Sequence, residues 1–479
     1  MSSRIAVLFL PFIIGLAWRD LPQLSIAWSL AGSFFIAAIA QTEWFRQSRE
    51  RLPVREHLLR PATMFHLYFL AYHVVGGAFH ALDATGYSVW GRIAEPSEYR
   101  LSMIALAQQW MLLAHASVTA GMKIAGFRYG DPRYVIPRLP PYTLIILSFI
   151  CLGAGTVLIS FPALFNLGGR VLSLGTTAVL VEFALSIRRR RFDHAMMTSP
   201  LLVYSLLQQG LSGWKGPVLY SVFMVGAMLY PRMPRRVVLG CAAFFLFWAL
   251  YVHPFGVALR PLLWYKGVPR QEATAISLDY ALTMSLDERL DQAWKMMAGR
   301  ANDLYQFQKY LEYVPGTRPY FGLELVEQAL IALVPRLLWP DKPDLERLAM
   351  IRVYEAGVVS EQSVVSAKSN YYQDAYMSGG WPAIIVAGLF LGVLMMLIGR
   401  LCERLFGGYE IGTCLIYTGL FAWPLHFAQN FEFFVGGIAT GFPIMLGLFY
   451  VGRLMGWIRP SPAMRRRAAD QVGVAGCRV

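Results

Sequence analysis

Met296-Met-Ala-Gly-Arg300-Ala-Asn-Asp-Leu-Tyr305 and Val334-Pro-Arg-Leu-Leu-Trp-Pro-Asp-Lys-Pro343 lie at the centre of residues 256–381, the one long polar interval of this chain. Everything on either side reads as membrane. Of 479 residues, 56% are hydrophobic and 15% charged, against roughly 25% charged in ordinary soluble proteins. The apolar residues gather in blocks of about twenty, the length that crosses a ~30 Å hydrocarbon core as a helix. Twelve such blocks can be drawn, at 5–19, 24–41, 63–82, 102–122, 142–160, 171–187, 196–210, 215–230, 237–255, 382–400, 411–427 and 434–456. The expected fold is therefore an all-α, polytopic integral membrane protein of about twelve transmembrane helices.

The net charge of +14 does not imply nucleic acid. Residues 256–381 hold 13 Lys and Arg against 15 Asp and Glu, so the basic excess lies in short loops and tails beside apolar helices. Retention of Lys and Arg on the cytoplasmic side accounts for that placement. Arginine clusters follow the even-numbered blocks, at 46–60, 128–138, 188–191, 232–236, 400–404 and 459–467, while the alternate loops carry few charges. Both termini are thus expected in the cytoplasm and residues 256–381 outside it. The domain scheme is 1–255 for nine helices, 256–381 for an extracytoplasmic helical cap, 382–458 for three helices, and 459–479 for a basic tail. The five cysteines, Cys151, Cys241, Cys402, Cys414 and Cys477, are scattered and predict neither a disulfide framework nor a thiolate metal site. The first apolar block lacks a small-x-small cleavage site and reads as an uncleaved helix.

Inside the cap two helices are predicted. Ser285-Leu-Asp-Glu288 is a capping-box pattern, followed by an apolar face through Leu286, Leu290, Trp294, Met297, Ala301, Leu304 and Leu311. Arg300 lies at the edge of that face, where partial desolvation strengthens its pull on an anion. Leu323, Val326, Leu330, Leu333 and Leu337 form a narrow seam on the second helix, and Pro335, Pro340 and Pro343 stiffen the segment carrying Arg336, Asp341 and Lys342.

Arg300, Arg336 and Lys342 are candidate ligands for a phosphate or pyrophosphate, because a guanidinium donates paired hydrogen bonds to phosphate oxygens. Salt bridging within the cap is the alternative. Lys215, in the turn Leu211-Ser-Gly-Trp-Lys-Gly-Pro217, is either a further phosphate contact or an interfacial anchor. Asp303, Glu324 and Asp374 are candidate general bases. Asp374 is preferred, since Tyr371-Tyr-Gln-Asp-Ala-Tyr376 re-enters the membrane through Ser378-Gly-Gly380 and should hang at the water–bilayer boundary. Its neighbour Tyr372 is taken as a substrate contact. His66, His73 and His80 recur every seven residues, too far apart for one helix to chelate a metal, and read as polar packing or a proton relay. No phosphate-binding loop, dinucleotide loop or DxD-type pair is found, so no cofactor or metal is expected.

At the cap the chain resembles the Wzy-type polysaccharide polymerases. The similar elements are the segment around Arg300 with Tyr313-Val-Pro-Gly316, the run Pro335-Arg-Leu-Leu-Trp-Pro-Asp-Lys-Pro343, the stretch Tyr371 to Trp381, and the turn Gly213-Trp-Lys-Gly216. The resemblance implies a GT-C-like, inverting, metal-independent glycosyltransferase. It would join oligosaccharide repeat units carried on undecaprenyl pyrophosphate at the outer face of a bacterial inner membrane. Arg300 would hold the pyrophosphate with Arg336 and Lys215 assisting, and a carboxylate would activate the acceptor. A chain-length regulator and a flippase would be the partner proteins, beside the lipid bilayer and without nucleic acid. O-antigen ligases resemble one another in carrying a His-Asn or His-Ser pair in a similar loop, and residues 256–381 contain no histidine. A transporter of lipid-linked sugars would need repeat-related helices and charges at mid-bilayer, which the sequence does not display.

Overall fold

The computed structural model describes residues 3–47, 58–86, 97–127, 132–137, 139–140, 142–211, 216–299, 303–336, 338–362, 367–422, 425 and 429–462. Helix dominates, and the only strands among the described residues are the two-residue pieces Tyr134–Val135 and Arg459–Pro460, paired antiparallel. All twelve apolar blocks contain helix, but six helices, not twelve, are long and apolar enough to cross a bilayer among the described residues. These are Pro22–Gln41, Glu98–Ala125, Pro162–Arg189, Pro234–Leu263, Tyr371–Leu405 and Phe431–Leu454. Ser3–Trp18, Thr143–Ile159 and Gly216–Leu229 are apolar but shorter. The other three blocks fall in Pro61–Ala84, with histidines and a central π-helical turn, in Phe192–Leu211, and in the π-helix Tyr409–Ala422.

Glu98–Ala125 is the axis of the bundle, largely buried along its length. It meets Tyr371–Leu405 through small residues. A Cβ on Gly392 would collide with the Val118 carbonyl oxygen, one on Gly121 with that of Leu389, and one on Gly388 with Ser117. Such close backbone approach is how helices associate where lipid removes the hydrophobic drive between them. The outer faces carry large apolar side chains in the open, among them Phe149, Ile150, Leu239, Leu246, Val386 and Phe390. Exposed apolar surface on this scale is a lipid-facing belt.

Among the described residues the cap has five helices, Arg270–Thr283, Leu286–Gly299, Leu304–Tyr313, Glu324–Ile331 and Leu345–Glu355. The capping box forms as expected, with Ser285 N–H donating to Glu288 at 2.8 Å and Glu288 N–H to Ser285 Oγ at 3.3 Å. The single helix expected from 286 to 311 is two, Leu286–Gly299 and Leu304–Tyr313. The seam of the second predicted helix is also corrected. Leu325, Ala329 and Ala332 pack inward, while Leu323, Val326, Leu330 and Leu333 face out. Leu337 and Ala301 lie outside the described residues. Helix Leu345–Glu355 follows Pro343 and is capped by Asp344, whose side chain accepts from Glu346 N–H at 3.0 Å. Tyr371–Leu405 is interrupted at Gly379 and Gly380, where Gly380 sits at φ +66°, a left-handed conformation open to glycine.

Candidate functional site

Three membrane-linked helices and the cap converge beneath the cap's floor. Asn370 begins Tyr371–Leu405 with a reciprocal capping box, its side chain accepting from Gln373 N–H at 3.2 Å while its N–H donates to Gln373 Oε1 at 2.9 Å. That geometry points the Asn370 amide at the cap, where Nδ2 donates to Asp303 Oδ2 at 2.7 Å. Gln373 Nε2 donates to the Asp303 carbonyl at 3.1 Å. On the opposite side Tyr72, from the helical stretch Pro61–Ala84, donates its hydroxyl to Asp303 Oδ1 at 2.8 Å. Asp303 thus bridges membrane helix and cap. It is half-buried, and burial raises its pKa above the ordinary carboxylate value, opposed by the hydrogen bonds from Asn370 and Tyr72.

An aromatic shell encloses this carboxylate. Tyr68 stacks on Tyr72 at 5.4 Å, His73 meets Tyr372 edge-to-face at 5.5 Å, and Phe307 meets Tyr372 at 5.1 Å. His73, Phe307 and Tyr372 are buried, whereas Tyr68 and Tyr72 are only partly so, which leaves that stacked pair as the part of the wall open to a ligand. His66 and His80 both have partners within the protein. His66 Nδ1 lies 3.0 Å from His115 Nε2, and His80 Nδ1 lies 2.7 Å from the Ala298 carbonyl, fastening the cap to the helical stretch Pro61–Ala84. Among the described residues no group of three His, Cys, Asp or Glu side chains is placed to hold a metal ion.

Below the aromatic shell lies an ionic knot that the sequence alone does not disclose. Arg352, on the cap helix Leu345–Glu355, donates to Asp374 Oδ1 and Oδ2 at 3.1 and 3.0 Å and to Glu432 Oε1 and Oε2 at 2.7 and 2.9 Å. Ser369 Oγ donates to Asp374 at 2.6 Å, and the Phe431 N–H, at the start of the last helix, donates to it at 2.9 Å. All three charged side chains are enclosed. A family model matches residues 10–459, nearly the whole chain. The chain belongs to the DUF8712 family, a domain of unknown function. Comparison with characterised proteins and with solved structures gives no match.

The residues proposed from this family member's sequence fall in different places. Arg300 and Lys215 lie outside the described residues. Arg336 is half-buried on the turn after Glu324–Ile331. Lys342 is turned inward, its ammonium donating to the Val334 carbonyl at 2.8 Å, so it closes the proline-rich turn instead of facing solvent. Tyr372 is buried in the aromatic shell. Asp374 does not hang at a water boundary: it is wholly buried, with both oxygens saturated by the knot. Glu324 is on the surface, paired with Arg318 at 2.9 Å. Of the three carboxylates only Asp303 combines partial exposure with an aromatic wall.

Signals for the missed residues exist. Ala349, Met350 and Val353 are buried on their helix, so Arg352 occupies an apolar-face position, where a cation needs a buried partner. Glu432 follows an Asn cap at the start of an apolar run, where a carboxylate is favoured by the helix dipole.

Proposed function

We propose that this protein is a membrane-embedded polymerase of the Wzy type, with twelve membrane crossings, both termini cytoplasmic and the cap outside a bacterial inner membrane. Its substrates are oligosaccharide repeat units on undecaprenyl pyrophosphate, and its product is a longer surface or exopolysaccharide chain. The observation that carries the reading is Asp303: a half-buried carboxylate three residues from Arg300, held between membrane helix and cap beside a wall of tyrosines.

In this reading Asp303 takes the proton from an acceptor hydroxyl as the new carbon–oxygen bond forms at the donor's anomeric carbon. The bond to pyrophosphate breaks on the opposite face and the leaving group departs with its electron pair. Arg300, assisted by Arg336 and Lys215, stabilises the charge that develops there. Asp374 is a positioning residue: through the Arg352 knot it fixes the start of Tyr371–Leu405, and with it Asn370, against Asp303.

The test is polymer length in cells carrying only Arg300→Ala, with membrane levels of the protein matched. Loss of long chains while single repeat units still reach their final carrier supports the polymerase. Loss of single units as well points to a ligase or a flippase. Chains of normal length remove Arg300 from the site.

A further inference from the structure

The outward seam of the cap is an interaction surface of its own. Leu323, Leu330, Leu333 and Leu338 are 70%, 51%, 50% and 76% exposed, and Val326, Val334 and Trp339 accompany them. The spacing 323, 326, 330, 333 places four of these on one helical face. A soluble cap would leave such a stripe against water, which is costly on this scale.

The location of the stripe says which medium covers it. Glu324–Ile331 packs against the last membrane helix, Phe431–Leu454, and a Cβ on Gly436 would lie 3.4 Å from the Ala332 side chain. Gly436 is five residues into that helix, roughly 7–8 Å along its axis. The cap segment therefore descends beside a spanning helix and does not perch above it. Its neighbours there belong to the lipid-facing belt: Phe390 meets Phe434 at 6.4 Å, and Val386 is open on the same helix as Phe390. Exposed aromatics accompany the stripe, with Tyr320 against Gly380, Trp381 next to that glycine, and Trp339 at the end of the segment. Exposed tryptophan and tyrosine are enriched at membrane interfaces.

We infer that residues 323–336, with Leu338 and Trp339, form a membrane seat, an amphipathic segment lying in the outer boundary of the bilayer with the exposed leucines among lipid acyl chains. The cap is then held by lipid on this side and by the Asp303 and Arg352 contacts on the other. Amphipathic helices of this kind are bound by their buried apolar area.

The test uses the full chain in lipid nanodiscs, with Cys241→Ser and Cys477→Ser as parent. A nitroxide is placed in turn at Leu330→Cys, Leu333→Cys, Val386→Cys as lipid reference and Glu361→Cys as water reference. Collision with oxygen is compared with collision against a water-soluble nickel chelate. Labels at 330 and 333 are expected to favour oxygen several-fold, as the label at 386 does. Nickel accessibility matching position 361 overturns the seat, because the stripe is then bare to water. Low access to both reagents, with dipolar broadening between labels, also overturns it, because a second copy then covers the face.

Discussion

Arg352 and Glu432, eighty positions apart, face each other through two hydrogen bonds of 2.7 and 2.9 Å where solvent does not reach. The same guanidinium holds Asp374, so one cation joins a cap helix to the starts of two membrane helices. Arg352→Met leaves two buried carboxylates uncompensated. Breaking a buried pair in this way costs about 3–5 kcal/mol, and the expected result is loss of the monodisperse folded peak after detergent extraction. Arg352→Lys is expected to fail as well, since an ammonium cannot span both carboxylates in paired fashion. The triple variant Arg352→Met, Asp374→Asn, Glu432→Gln should recover much of the folded fraction, because it removes charge from all members together. A triple variant as unstable as Arg352→Met would mean that the knot acts by shape and not by charge.

Asp303 gives a pH dependence. Burial raises its folded pKa above the unfolded one, so the protonated form is the one the fold favours. Stability from this group is full at pH below the ordinary carboxylate value and is lost as pH rises through the raised one. On the proposed mechanism the ionised base that transfer needs is gained across the same window. In vitro polymerisation should therefore show an acidic limb above the usual carboxylate range, and Asp303→Asn should remove the limb and lower the rate roughly 10²–10⁴-fold. Tyr72→Phe deletes a donor that favours the ionised form, so its limb should move to higher pH. An unmoved limb in Tyr72→Phe would separate Asp303 from the titrating step.

Much of the fold is legible because its governing signals are local. Apolar blocks disclose helices, and Gly379-Gly380 ahead of Pro382 discloses a break. The span count is not read from such blocks alone: His66, His73 and His80 interrupt one block, and a π-helix takes up another. The Arg352 knot is hidden for a different reason, since its partners lie 22 and 80 positions away and no spacing rule reaches so far. Leucine periodicity at 323–333 reveals an apolar face, yet the pattern is the same whether protein or lipid covers it. Asp303 is readable as a candidate base, whereas its preference over Asp374 needs the burial of Asp374, which depends on the packing of three helices.

Arg300 and Lys342 should separate cleanly, although both are cap cations. On the proposed mechanism Arg300→Ala removes a contact to a developing pyrophosphate charge, expected to cost at least ~2–3 kcal/mol in the transition state, or roughly a hundredfold in rate. Lys342→Met keeps the aliphatic stem and deletes only the bond to the Val334 carbonyl. Its expected effect is a loss of about 1–3 kcal/mol in local stability, read as faster proteolysis of the 335–343 turn, with chain length much less affected. A collapse of polymer length in Lys342→Met, with the turn intact, would return Lys342 to the substrate site.

Gly392 tests the axis on which all of this rests. Its missing Cβ lets Tyr371–Leu405 lie directly on Glu98–Ala125, with the Val118 carbonyl in the space a side chain would fill. The obstacle is backbone, so a larger residue cannot be accommodated by turning a rotamer; the helices must part. Gly392→Val is expected to lower the midpoint of thermal aggregation in detergent and to weaken polymerisation with it, because Asn370 and Asp374 ride on the displaced helix. Overpacking of this kind costs typically about 1–3 kcal/mol. Gly447→Val, on a glycine of the last helix with open space around its Cβ position, serves as the matched control and should leave both readouts near wild type. Equal damage from the two substitutions would show that glycine is needed for helix insertion generally, not for the contact between these two helices.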